Sequence, residues 1–160
     1  MRWRIQWLET MRESSKLRLG EASACLNYNL RRTSRLVNHH YDQALQPAGL
    51  RAGQFNLMIP VALRGVFSIT GLAALLGMER SALARNLKPL ERKGWVTVTA
   101  GADRRTRLVH LTREGERLLL KAYPHWQKAQ MELTTALTGP VLRGLLKGLR
   151  AASNAARAED

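Results

Sequence analysis

Apolar positions along this chain recur mostly every three or four residues, the period of a helix with one buried side. Ala22, Leu26, Leu30, Val37, Tyr41 and Leu45 keep near-helical spacing, with Arg31, Arg32 and Arg35 mostly elsewhere, which predicts a long first helix closed by Pro47 and Gly49. Phe55, Ile59, Ala62 and Leu63 predict another before Gly65, made imperfect by Pro60. Thr70, a favourable N-cap, precedes Leu72, Ala73, Leu75 and Leu76, the stripe of a short helix that Gly77 ends through a left-handed turn. The next helix is predicted from about Glu79 to Lys93. Its Leu83, Leu87 and Leu90 share one face at i, i+4, i+7, and Arg80, Ser81, Arg85, Lys88 and Arg92 occupy the other. Pro89 within it removes an amide hydrogen bond and should bend or stiffen its second half.

After Gly94 the period changes to alternation, in Trp95 to Thr99 and again in Arg107 to Thr112, which predicts a β-hairpin. Thr112 caps a helix running to about Leu137, with Leu118, Leu119, Ala122, Trp126, Ala129 and Leu133 on its apolar side. Gly139-Pro140 opens a last helix whose Leu142, Leu145, Leu146 and Leu149 form a stripe while Arg143, Lys147 and Arg150 face outward. The expected class is mainly α with a small β-hairpin: a winged helix-turn-helix with N- and C-terminal dimerisation helices. Residues 1–21 are read as an N-terminal arm and 22–160 as one domain. Within it, 66–112 form the DNA-binding lobe, and 22–48 with 113–157 form the dimerisation helices. A winged unit alone cannot bury both terminal stripes, so a second copy is expected to cover them.

Charge sharpens the reading. The chain of 160 residues carries a formal net charge of +14. The excess is largest around the predicted lobe, where residues 61–115 hold 10 Lys or Arg against 4 acids. Such a balance favours a polyanionic partner. Short residues near the start of the basic helix, Ser81, Ala82 and Ala84, let it sink into a major groove, where Arg85 and Asn86 are the expected base readers and Arg80 and Lys88 flank them. At the hairpin tip Arg104 and Arg105, with Arg107 behind, suit a minor groove or phosphates. Phosphate would repel Asp103, so Asp103 is assigned to shaping the turn. Thr70 completes the expected DNA contacts. Charge alone would equally serve a non-specific architectural nucleic-acid-binding protein; the base-reading pair favours sequence-specific binding of double-stranded DNA.

The stretch from Leu72-Ala73-Ala74-Leu75-Leu76-Gly77 through Ser81 to Leu87 and on to Leu90-Glu91-Arg92-Lys93-Gly94 resembles the MarR family of bacterial transcription regulators. Asp103-Arg104-Arg105, then Leu108 to Thr112 and Gly115, is similar to that family's wing leading into its long fifth helix. The resemblance covers about Ala22 to Ala152. It implies a dimeric repressor or activator, a repressor in the expected case, with an affinity set by a small molecule or an oxidant, and the symmetric homodimer expected from the terminal stripes predicts a pseudo-palindromic site. It further implies an effector pocket, for which Tyr28, Arg32, His39, Tyr41, Met58 and Trp126 are the candidates. Aromatic and Met residues at helical spacing are otherwise core.

Cys25 is the only cysteine, which excludes an intrachain disulfide and a four-cysteine zinc site. Its place early in the first helix is similar to the peroxide-sensing branch of the family, although the sixteen residues separating it from Tyr41 turn it to a different face. Its plain reading is a small buried hydrophobe. His39-His40 with Asp42 offers ligand types, but adjacent His side chains diverge on a helix and no ligand at i+4 completes a site, so no metal is expected. No phosphate loop, paired carboxylates or nucleophile with its base is visible, and neither enzyme activity nor a cofactor is expected. No apolar run approaches bilayer length, so the expected location is the cytoplasm, away from membranes.

Overall fold

The computed structural model describes Gly20, residues 22–103 and residues 105–157. The helices are α1 (Leu26–Leu45), α2 (Ala52–Arg64), α3 (Ile69–Leu76), α4 (Arg80–Arg92), α5 (Arg113–Ala136) and α6 (Gly139–Arg157), and the strands are β1 (Val66–Ser68), β2 (Val96–Ala100) and β3 (Arg107–Leu111). The class is the expected one, a mostly helical chain with a small sheet and a winged helix-turn-helix lobe. Two compact units divide between His40 and Tyr41, inside α1.

In the first unit a 3₁₀ turn, Ala22–Ala24, precedes α1. Asn29 closes this entry by donating its side-chain amide to the carbonyls of Ser23 at 2.9 Å and Cys25 at 3.0 Å. The apolar residues Leu26, Tyr28, Leu30 and Leu36 are all exposed.

The second unit holds the core. Leu45, Phe55, Met58, Val61, Leu72, Leu83, Leu87, Leu90, Val96, Val109, Leu119 and Ala122 pack into one buried cluster. Helix α2 starts where the Asp42 carboxylate accepts the Ala52 amide at 2.7 Å, a helix N-terminus capped from a neighbouring element. Its buried stripe is Phe55, Met58 and Val61, while Leu63 is 81 % exposed and Ala62 is also exposed. The expected stripe through Ala62 and Leu63 is therefore corrected: the helix presents its i, i+3, i+6 set to the core. Pro60, Pro89 and Pro124 each lie inside a helix that continues through them.

A strand the sequence did not reveal, β1, precedes α3. It pairs antiparallel with β3, so the sheet order is β1-β3-β2 and the hairpin's return strand lies in the middle. Phe67 faces Val109, and Val109 faces Val98, giving one apolar row across the sheet. Because β1 runs to Ser68, the cap of α3 shifts with it. Ser68, in extended geometry, accepts the Gly71 amide at 3.0 Å, and Thr70 is an exposed residue inside the helix rather than its N-cap.

Helix α5 is capped by Thr112 and buries Gly115, Leu119, Ala122 and Ala129. Thr138, with φ of +49°, joins it to α6. No residue of α6 is buried, and Val141, Leu145, Leu146 and Leu149 stand exposed along it.

Candidate nucleic-acid interface

Two tight helix ends set the angle of α4. Gly77, at φ +61°, ends α3 with its amide on Ala74 and the Met78 amide on Ala73, the paired bonds of a Schellman turn. Three residues later α4 begins. It ends the same way at Gly94, φ +69°, where the Gly94 amide reaches the Glu91 carbonyl and the Trp95 amide the Leu90 carbonyl, both at 2.9 Å. Leu83, Leu87 and Leu90 are at most 2 % exposed and anchor the helix in the core. Burying three leucines there stabilises the helix by roughly 1.5–3 kcal/mol each, far more than the helix propensity of its sequence.

The opposite face is polar and open. At about 100° per residue, Ser81, Arg85, Lys88 and Arg92 all fall within about 50° of the direction facing away from the leucines. All four are exposed. Asn86 is exposed too, but lies nearer the flank, about 70° from the buried stripe. Arg80 is exposed on the other flank, and Ala82 is half-buried. Arg85, Lys88, Pro89, Glu91 and Arg92 line a shallow groove on this surface. The proline leaves the Arg85 carbonyl without its helical donor, yet α4 stays continuous to Arg92.

The wing follows through Gly94 and Trp95. Its tip is closed by the Gly101 amide on the Thr106 carbonyl and the Thr106 amide on the Asp103 carbonyl, each 2.9 Å. The Asp103 carboxylate accepts the Arg105 amide at 2.9 Å. This is an Asx-type contact that holds the turn without using the guanidinium. Arg105 and Arg107 are exposed, and Arg104 lies outside the described residues. Behind the tip, Thr99 Oγ1 and His110 Nε2 are 3.0 Å apart across β2 and β3. Sequence reading missed this contact, which only the strand register brings together. On α5, Arg117 and Glu114 form an exposed ion pair at 2.9 Å. That pair involves none of the exposed cations Arg85, Lys88, Arg92, Arg105 and Arg107.

The candidate effector residues fall in both units. Tyr28, Arg32 and His39 belong to the first and are exposed. In the second, Met58 is fully buried in the core. Trp126 stacks between Phe55 and Tyr123, with ring centroids 6.0 and 5.6 Å away. The Tyr41 hydroxyl donates to Gln130 Oε1, one turn beyond Trp126, and burial pushes its pKa up. Tyr123 and Gln130 were not among the residues expected here; their i−3 and i+4 spacing from Trp126 was the available signal. Asp42, considered beside His39 and His40 as a ligand, instead holds the Ala52 amide. Cys25 is exposed, not the buried hydrophobe of its plain reading. No helix among the described residues is long and apolar enough to cross a membrane.

No family model matches the chain. It is similar to the transcriptional regulator MosR of M. tuberculosis, solved in complex with DNA, with 39 % identity over 83 % of this chain and 98 % of that one at a TM-score of 0.73. A cysteine-to-serine mutant of MarR from E. coli, solved with operator DNA, shares the fold at a TM-score of 0.74 and 24 % identity, covering 82 % of this chain and 96 % of that one. An uncharacterised HTH-type transcriptional regulator of Bacillus subtilis, YwoH, is 29 % identical over 92 residues, 58 % of this chain and 67 % of its own length.

Proposed function

The chain belongs to the MarR family of winged helix-turn-helix transcription regulators, and we propose from this premise that it is a homodimeric repressor of a pseudo-palindromic site. Binding DNA and regulating transcription follow from membership. The finer reading is carried by one observation: Ser81, Arg85, Lys88 and Arg92 share the open face of a helix whose other face is sealed in the core. Arg85 is assigned to base edges in the major groove with Asn86 beside it. Arg80, Ser81 and Lys88 take the groove walls, Thr70 a phosphate, and Arg104, Arg105 and Arg107 the adjoining backbone or minor groove. The DNA-bound MosR supports the same partner here.

Dimerisation is supported by α6, which exposes Val141, Leu145, Leu146 and Leu149 on one helix. A second copy covering that stripe would set two α4 helices about one duplex turn apart, which is why the site is expected to be pseudo-palindromic. Modulation by an effector completes the proposal. A small molecule contacting Tyr41 or Trp126, or an oxidant meeting the exposed Cys25, would shift the spacing of the two lobes.

The test is to select fragments of genomic DNA with the purified protein at near-physiological salt, compare the best fragment with random DNA, and sediment the complex. A few enriched pseudo-palindromes bound by two copies support the proposal. Uniform recovery would favour the architectural reading, and a monomer at DNA-binding concentrations would end the dimer model.

A further inference from the structure

Thr112 makes two kinds of contact with one hydroxyl. As N-cap of α5, its Oγ1 accepts the Gly115 amide at 3.0 Å. Its hydroxyl hydrogen points the other way, toward the carbonyl of Gly94 at 2.6 Å, with that of Trp95 at 3.2 Å. The Thr112 amide also donates to the Trp95 carbonyl at 3.1 Å. Gly94 and Trp95 are the two residues whose amides close the end of α4. One side chain therefore ties the exit of α4 to the first turn of α5. Capping needs only an acceptor, so the donor is surplus to it. Lys93, at the C-cap of α4, lies over the Trp95 ring at 4.3 Å and adds a second hold on the same junction.

We infer that Thr112 is a positioning residue for DNA reading: its hydroxyl donor fixes the end of α4 against α5, so that α5 sets the orientation of Arg85 and Lys88. The inference rests on the reading of α4 as the DNA-reading helix. An unfixed α4 still presents its cations to phosphates, which tolerate displacement, but no longer holds Arg85 in register with base edges, which do not. Loss of the tether therefore lowers specificity more than it lowers general affinity.

The experiment compares the full-length protein with Thr112→Ser, which keeps acceptor and donor, and Thr112→Asp, which keeps the cap and has no donor. The readouts are the ratio of affinities for the best selected genomic fragment and for random DNA, and the melting temperature. Taking the ratio removes most of the added charge of the aspartate. Serine is expected to match the wild type in both. Aspartate is expected to melt near the wild type but lose about five- to tenfold of the ratio, the worth of one neutral hydrogen bond. Should Thr112→Asp not fold, Thr112→Gly, a residue that also serves as an N-cap and has no side-chain donor, takes its place with the same expectation. A wild-type ratio in the cap-only variant overturns the inference, as does a serine variant that loses the ratio too. A wild-type protein that shows no preference between the two DNAs overturns the DNA-reading assignment instead, before any variant is compared.

Discussion

Gly115 runs so close to Trp95 that a Cβ added to it would stand 2.1 Å from the Trp95 carbonyl oxygen. That oxygen belongs to backbone already held by Thr112, so it cannot simply swing away. In an open helix, Gly→Ala stabilises by up to about 1 kcal/mol. Here Gly115→Ala is expected to destabilise by about 1–3 kcal/mol, the range for forcing atoms into a packed site. Urea unfolding measures it, and a stabilised variant would mean that α5 does not approach Trp95 this closely.

Arg85 and Arg105 are expected to separate by kind of loss. Arg85→Ala should cost about 1–3 kcal/mol on the selected site and relax its sequence preference. Arg105→Ala should weaken all DNA alike and reduce the salt slope by about one. Binding isotherms on both DNAs at several salt concentrations decide, and equal losses on every sequence from both variants would remove the distinction.

Ser68 is the cap of α3, with the Gly71 amide on its hydroxyl. Ser68→Ala is expected to cost about 1 kcal/mol, whereas Thr70→Ala, inside the helix, should change stability little. Thermal melts of the two variants check the order, and the reverse order would return the cap to Thr70.

Burial raises the pKa of Tyr41 above 10.0. The neutral phenol is thus favoured in the folded chain, so its contribution to stability is full below the unfolded value and is lost as pH rises through the folded one. Unfolding free energy should fall on the alkaline side of pH 10, and Tyr41→Phe should flatten that fall. At neutral pH the same variant should cost about 1 kcal/mol, because Gln130 loses its donor. An unchanged alkaline profile in the variant would show that another group governs it.

What could be read from sequence alone was set by local rules. The leucines of α4, the glycines at 77 and 94 and the alternation after Trp95 each act within a few residues, and the helix-turn-helix and hairpin stood where they predicted. Strand β1 was hidden because three residues are too few to show a period, and its partners on β3 lie 40 to 44 positions away. The misplaced cap followed from it: Thr70 and Ser68 are equally good cap residues, and only the end of β1 decides between them. Leu63 misled for another reason, since its apolar side chain satisfied the pattern while tertiary packing turned the helix to bury Met58 and Val61. The second role of Thr112 was invisible because a side chain that caps its own helix gives no sign that it also reaches seventeen or eighteen residues back.

The wing's return strand is bonded along both edges, to β1 on one side and β2 on the other. Its register is therefore held without help from the loop between Gly101 and Thr106, which closes through its own backbone and the Asp103 carboxylate. That makes the tip an exchangeable part. Its length and charge can drift, or be grafted from another regulator, while α4 keeps its place, so that under the proposed roles the preference for flanking DNA and the preference for the central bases would evolve separately.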